Sequence, residues 1–82
     1  SRGLGDVYKR QVPCLIERLS DDHEDLMVRH EAAEALGAIG DRTAIDTLMQ
    51  YRDDPEPVIS ESCEVAIDLL EWVESKRLNY DN

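Results

Sequence analysis

The residues best suited to chemistry in this sequence share one side of a predicted helix. Met27, His30, Glu31 and Glu34 fall within the segment MVRHEAAE, and a helix of about 3.6 residues per turn brings them to one face. An imidazole beside carboxylates offers a nitrogen and hard oxygens, which is the ligand set of non-haem iron. One His with one Glu cannot close a metal site, so the pattern predicts only part of one.

Other interpretations of this face are possible from spacing alone. His30 and Glu31 could be solvated surface residues of a helix that binds nothing. A zinc-protease motif is excluded, because position 34 is Glu where that motif requires a second His. A second His-Glu pair, His23-Glu24, lies in the acidic stretch before the helix. A flexible loop cannot preorganise a ligand, so we interpret that pair as a coincidence.

The helix that carries His30 is one of two segments with the same apolar spacing. Its predicted core positions follow the steps i, i+4, i+7, i+8 and i+11 of one helix face, and a second segment repeats them 31 residues later. Such a coincidence indicates a structural repeat. The two sets are Val28, Ala32, Ala35, Leu36 and Ile39, and Ile59, Cys63, Ala66, Ile67 and Leu70.

Two further helices complete the predicted order. Ala44, Ile45, Leu48 and Met49 form an apolar face between the repeated segments, and VPCLIERL resembles the second helix of a preceding repeat. A period of about 31 to 33 residues favours an all-α solenoid of antiparallel helical hairpins, with about two and a half repeats. Four helices are expected between Val12 and about Ser75, and Trp72 and Val73 could cap the exposed end.

Composition limits the function classes. The formal net charge of −10 would repel a phosphate backbone, so we expect no nucleic-acid partner. No apolar run is long enough for a membrane span and no signal peptide is visible, which favours a cytoplasmic protein without a membrane partner. Cys14 and Cys63 lie far apart in apolar patterns, and both are expected to be free and buried.

The first eleven residues differ from the rest. Residues 1–11 carry three basic and one acidic side chain, a net +2, whereas residues 12–82 carry −12. This stretch has two glycines and lacks helical apolar spacing, which predicts a boundary near Val12. It is interpreted as a non-native, adapter-like leader or a disordered terminus, and residues 12–82 as HEAT-like repeats.

The longer pattern resembles a known family. LMVRHEAAEALGAIGD, followed after one helix by DDPEPVISESCEVAIDLLEW, is similar to the last two repeats of the deoxyhypusine hydroxylase family. The VR, AA, AL and IGD elements are common to HEAT repeats, whereas the His-Glu pair with the ESCEVA helix is specific to this family. The resemblance covers Val12 to Tyr80 and implies the C-terminal part of such an enzyme.

The resemblance implies an activity and its parts. The family places four His-Glu pairs on the first helices of its repeats, in two halves that hold two iron ions. It hydroxylates the deoxyhypusine side chain of translation factor 5A with molecular oxygen. His30 and Glu31 match the fourth pair, so His30 would bind iron. Glu31 would be a metal ligand or a catalytic residue that contacts the substrate amine, and Met27 would line the substrate channel.

The sequence also departs from the family pattern. Three of the four pairs are missing from these 82 residues, so the chain alone is expected to be inactive. In the last helix the slots of His30 and Glu31 hold Glu61 and Ser62, so that repeat has no iron pair. The alternative function is a non-catalytic HEAT-repeat interaction module.

Overall fold

The computed structural model describes residues 8–81, with side chains to residue 78. Within residues 12–81, four α-helices follow one another: α1 is Val12–Ser20, α2 is Leu26–Ile39, α3 is Ile45–Tyr51 and α4 is Pro57–Asp81. A 3-10 turn, Arg42–Ala44, precedes α3. The predicted all-α solenoid of helical hairpins is confirmed, although α4 extends beyond the predicted end near Ser75. No described residue lies in a strand.

Local signals set the limits of these helices. Pro13 occupies the first turn of α1, where a missing amide hydrogen costs little. Asp25 begins α2 by accepting hydrogen bonds from the backbone amides of Met27 and Val28. Gly40 ends α2 in the left-handed conformation, with φ of 76°, which glycine adopts without a steric penalty.

A second acidic cap starts the return helix. The carboxylate of Asp41 accepts hydrogen bonds from the amide and the hydroxyl of Thr43, both at 2.9 Å. These bonds hold the pKa of Asp41 below its usual 3.8, and the bond from the backbone amide has the larger effect. Arg42 then pairs with Glu74 on α4, with Nη1 to Oε1 at 2.9 Å, so the turn is attached to the neighbouring helix.

The leader predicted for residues 1–11 falls mostly outside the described residues, which begin at Tyr8. Residues 8–10 are helical and Gln11 is a turn residue before α1. The boundary at Val12 therefore stays a prediction. Among the described residues, no helix is both long enough and apolar enough to cross a membrane.

The core is aliphatic and lies where the four helices meet. Its fully buried large side chains are Leu19, Leu36, Leu48, Ile59 and Cys63, and they come from all four helices. The predicted stripe of α4 is confirmed, because all five of its positions are buried. Burying such side chains contributes about 1.5 to 3 kcal/mol each before the entropy cost is counted.

The buried face of α2 is rotated relative to the predicted one. Val28 is 39% exposed, whereas Arg29, Ala33 and Gly37 are buried beside Ala32 and Leu36. The reason is that α2 packs against both α1 and α4. The interface of α2 with α4 includes small residues such as Gly37, and a search for large apolar side chains does not identify them as buried.

At Gly37 the backbones of α2 and α4 approach closely. A Cβ added there would lie 2.9 Å from both Cα and Cβ of Ala66 on α4, which is closer than such atoms pack. Glycine is therefore required for this helix spacing.

Two other burial predictions are wrong. Cys14 is exposed, because Val12, Leu15, Ile16 and Leu19 turn the opposite side of α1 to the core. Met49 is exposed, since it lies about 100° around α3 from the buried Leu48.

The proposed cap fails for a related reason. The buried face of α4 ends at Leu70, and Trp72 and Val73 both lie in solvent. They do not cover the end of this chain.

Candidate metal centre

The helix that bears His30 is fixed by the residue before it. Arg29 is 3% exposed, and its Nε donates to the carbonyl oxygen of Leu19 at 3.0 Å. Its guanidinium lies 5.6 Å from the centre of the Tyr51 ring. Tyr51 in turn donates its hydroxyl to the carbonyl of Ser20 at 3.2 Å. Both side chains thus satisfy carbonyls at the end of α1, which a helix leaves unpaired.

Arg29 also joins two of the inter-helix loops, the one before α2 and the one before α4. Its Nη2 lies 3.7 Å from Asp22 Oδ1 and 3.6 Å from Asp54 Oδ2. At these lengths Nη2 has charge partners but makes no hydrogen bond. A buried guanidinium is tolerated where carboxylates oppose its charge, so this residue ties α2 to α1 and to the loop that precedes α4.

His30 lies where α2 meets α4. Its side chain is 29% exposed, and its Nδ1 is within hydrogen-bond distance of Ser62 Oγ on α4. Its Nε2 lies 3.4 Å from Oε1 of Glu34, one turn further along α2. One ring nitrogen is thus held by the protein, while the other faces a carboxylate at the surface.

Ser62 is the contact that the sequence interpretation missed. It is buried, and its hydroxyl also contacts the carbonyl oxygen of Val58, four residues earlier. The 31-residue repeat offset placed Ser62 in the slot of Glu31, which suggested an empty position. The signal that could have found it is this same offset, since equivalent faces of successive first helices pack side by side.

The other predicted site residues lie in solvent. Glu31 and Met27 are exposed. The sequence predicts that both His30 and Glu31 are accessible, because their partners across a metal site are absent from these 82 residues, and Glu31 is accessible. His30 is accessible only in part, because Ser62 covers its Nδ1. Neighbouring helix positions point in directions about 100° apart, so the structure brings Glu34, rather than Glu31, to the free nitrogen of His30.

The loop pair behaves as a surface feature. His23 is exposed between α1 and α2, and the Oε2 of Glu24 pairs with Arg18 Nη1 at 3.2 Å. The Oδ1 of Asp21 accepts a hydrogen bond from the backbone amide of His23 at 2.9 Å. The carboxylate of Glu24 is therefore already engaged by a side chain of α1.

The described residues offer iron suitable donors but not enough of them. An imidazole nitrogen with an adjacent carboxylate is the correct chemistry for non-haem iron. Across residues 8–78, no group of three or more His, Cys, Asp or Glu side chains is close enough to hold a metal ion. The donors thus fit one edge of a metal site whose other ligands must come from elsewhere.

A cavity of about 380 Å³ adjoins this edge, in the groove between α2 and α4. Its lining combines aliphatic side chains with the imidazole and two carboxylates. The lining residues are His30, Glu34, Val58, Glu61, Ser62, Val65, Ala66 and Leu69. An amine on an aliphatic stem would suit this combination of apolar and acidic lining.

Comparison with known proteins places this geometry in context. The model of the HEAT repeats family matches residues 2–68. Deoxyhypusine hydroxylase of Bos taurus is 46% identical over 72 residues, which is 87% of this chain and 24% of the relative. Deoxyhypusine hydroxylase of Danio rerio is 45% identical over 78 residues, or 94% of this chain and 26% of the relative.

A solved structure agrees with the sequence matches. The structure of human deoxyhypusine hydroxylase in complex with glycerol superposes with a TM-score of 0.82 at 43% identity. The match covers 89% of this chain and 26% of the human one. The chain therefore spans about a quarter of the length of the relatives that it matches.

Proposed function

This chain belongs to the HEAT-repeat family and is a relative of the deoxyhypusine hydroxylases, and on that premise we propose that it forms one ligand-bearing part of such an enzyme. The whole enzyme would hydroxylate the deoxyhypusine side chain of translation factor 5A with molecular oxygen, using two iron ions, in the cytoplasm. The observation that carries this proposal is His30, a partly exposed imidazole on a first helix with one ring nitrogen facing the surface, in a chain about 45% identical to those enzymes.

His30 would be the metal ligand of this part, through Nε2. The buried Arg29 and the Asp25 cap fix the helix under it, so the imidazole needs little reordering to bind an ion. Bound iron would supply the activation of oxygen that hydroxylation requires. The protein itself supplies a preorganised nitrogen at a defined place on a rigid helix.

Glu31 keeps two roles within the proposal. It is exposed, so it can join the ligand set of an ion held from the opposite side or accept a hydrogen bond from the substrate amine. The exposed Met27, one turn earlier, would contact the aliphatic part of the substrate. Glu31, Glu34 and Glu61 together make this surface negative, which suits a substrate that carries amines.

A chimera tests the proposal. We would replace the matching segment of human deoxyhypusine hydroxylase by residues 12–78 of this chain. Iron content and hydroxylation of a deoxyhypusine-bearing substrate would then be measured. The chimera should bind two irons and turn over, and His30→Ala should abolish turnover because one ligand is lost.

His23→Ala is the matched control, since it removes an exposed imidazole from the loop before the same helix. It should leave iron loading and turnover unchanged. Iron content and turnover that survive His30→Ala would contradict a ligand role. Glu31→Gln then separates its two roles: loss of iron indicates a ligand, whereas full iron with a raised KM indicates contact with the substrate.

The alternative is an interaction module without chemistry. It is favoured by the lack of a complete ligand set among the described residues and by the groove between α2 and α4. A folded chimera that takes up no iron would support this alternative. His30 would then be only a surface residue of a solenoid repeat.

A further inference from the structure

The hydrogen bonds around His30 assign a task to a residue outside the proposed ligand set. We infer that Ser62 is a positioning residue that holds neutral His30 in the tautomer with its proton on Nδ1, which leaves Nε2 as the metal-binding atom. The tautomer follows from the contacts of this chain alone. The ligand role that it serves rests on the proposed function.

The assignment comes from counting hydrogens. Ser62 Oγ contacts both Val58 O and His30 Nδ1 at 2.5 Å, and a hydroxyl has a single hydrogen. A carbonyl oxygen can only accept, so the contact with Val58 requires the hydroxyl to donate there. Oγ must then accept from the imidazole, and Nδ1 must carry a proton.

The consequence reaches the other ring nitrogen. In the neutral ring a proton on Nδ1 leaves Nε2 with a lone pair. Nε2 lies 3.4 Å from Oε1 of Glu34, and its lone pair would repel that carboxylate oxygen unless a positive charge lies between the two atoms. The pair Nε2 and Glu34 Oε1 thus favours a cation, and Ser62 ensures that the nitrogen is ready to bind one.

The geometry that holds Ser62 in place is rigid. Ser62 is 8% exposed, and its bond to Val58 follows the pattern in which a helical serine returns to the carbonyl four residues earlier. One turn beyond it, Ala66 meets Gly37 of α2 at the closest approach of the two helices. The backbone of Ser62 therefore cannot move away from His30 without separating α2 from α4, and the bond to Val58 O holds its hydroxyl in place.

Nitrogen NMR of the metal-free 82-residue chain tests the tautomer directly. The sequence has two histidines, and the exposed His23 serves as an internal reference for a ring without a fixed partner. At a pH where both rings are neutral, His30 should show its proton on Nδ1. A neutral His30 with its proton on Nε2 in the unmodified chain would overturn the inference without any variant.

Substitutions then identify the cause. Ser62→Ala should return the tautomer ratio of His30 to that of His23, whereas Ser62→Thr should keep the hydroxyl and the Nδ1 proton. Ser60→Ala is the matched control, because it removes a hydroxyl two residues away on the same helix and has no bond to His30. A tautomer ratio unchanged in Ser62→Ala would refute a role for this hydroxyl.

Iron binding separates this inference from the proposed function. In the chimera, Ser62→Ala should weaken binding of ferrous iron about 10- to 100-fold, as loss of a hydrogen bond behind a ligand does. A correct tautomer in a chimera that binds no iron would leave the hydrogen-bond assignment intact and refute the iron proposal. Unchanged iron affinity in Ser62→Ala, with His30→Ala inactive, would show that the tautomer does not limit binding and would overturn the positioning role.

Discussion

At the scale of single residues, the local environment separates side chains of the same type. Cys14 is exposed on α1, whereas Cys63 lies in the core among Ile59, Ala66 and Ile67. Burial raises the pKa of the Cys63 thiol from 9.0 to about 11. The positive charge of Arg29 opposes this rise, and the negative charge of Asp54 adds to it. The two thiols should therefore differ widely in reactivity.

An alkylating reagent measures that difference. At pH 8 we expect Cys14 to react at the rate of a free thiol and Cys63 to react at least about a hundredfold more slowly, since the thiolate is the reactive form. Mass spectrometry of timed samples would give both rates. In the Cys14→Ser variant only the slow thiol remains. If Cys63 in the folded chain is labelled as fast as in the urea-unfolded chain, its burial is contradicted.

The same pKa shift makes stability depend on pH. The folded chain keeps the Cys63 thiol protonated up to about pH 11, whereas an unfolded thiol ionises near 9.0. This contribution to stability is fully present below pH 9.0 and is lost as the pH rises towards 11. Asp41 has the opposite sign: its lowered pKa stabilises the folded state above the usual carboxyl pKa, and acid removes this.

At the scale of elements, the spacing between helices depends on the smallest side chain. Gly37→Ala places a methyl group 2.9 Å from Ala66. We expect a net loss of about 1 to 2 kcal/mol in the free energy of unfolding, because overpacking costs about 1 to 3 kcal/mol and the better helix propensity of alanine returns up to about 1 kcal/mol. Urea unfolding followed by circular dichroism would measure it.

A neighbouring substitution gives the control. Ala38→Leu enlarges an exposed position of the same helix and should change stability by less than about 0.5 kcal/mol. A Gly37→Ala chain that is more stable than the original would show that α2 and α4 can separate at little cost. In that case the contact of Ser62 with His30 would also be adjustable.

Helix number and order could be predicted from the sequence, since the apolar periodicity, Gly40 and the loop prolines are local signals. The exact buried face of α2 could not be predicted. Burial of Arg29 depends on one hydrogen bond to α1 and on carboxylates in two loops. Burial of Gly37 depends on the close approach of α4. These causes are tertiary, and a count of apolar residues along one helix contains neither of them.

The candidate site was predictable to a similar extent. His30 and its helix followed from residue type and from the family resemblance. The pairing of His30 with Ser62 depends on two helices that are 31 residues apart in sequence and adjacent in space. Hydrogen-bond partners across an interface are not encoded in the periodicity of either helix.

At the scale of the whole molecule, the chain is an elongated stack of 42 × 23 × 16 Å. A solenoid of this kind buries each hairpin only against its neighbours. Several large apolar side chains accordingly remain in solvent on α4, among them Val65, Leu69 and Leu78. The molecule presents its candidate ligands on an open surface.

The open surface leads to a prediction for the chain alone. The 82-residue chain should show no hydroxylation and should bind ferrous iron at least about a hundredfold more weakly than the chimera, because one imidazole and one or two carboxylates leave an ion mostly hydrated. Anaerobic titration would measure both affinities. Tight, stoichiometric iron binding by the isolated chain would contradict the half-site interpretation.

The exposed end of α4 also determines how the molecule can be observed. Trp72 is the single tryptophan, 59% exposed, with the Lys76 ammonium 5.5 Å from its ring centre. An indole already in water emits at long wavelength, so unfolding should barely change the colour of its fluorescence. A protein surface that covers this end would shift the emission to shorter wavelengths. The fluorescence of Trp72 would therefore report the binding of a protein at α4, whereas it would change little when the chain unfolds.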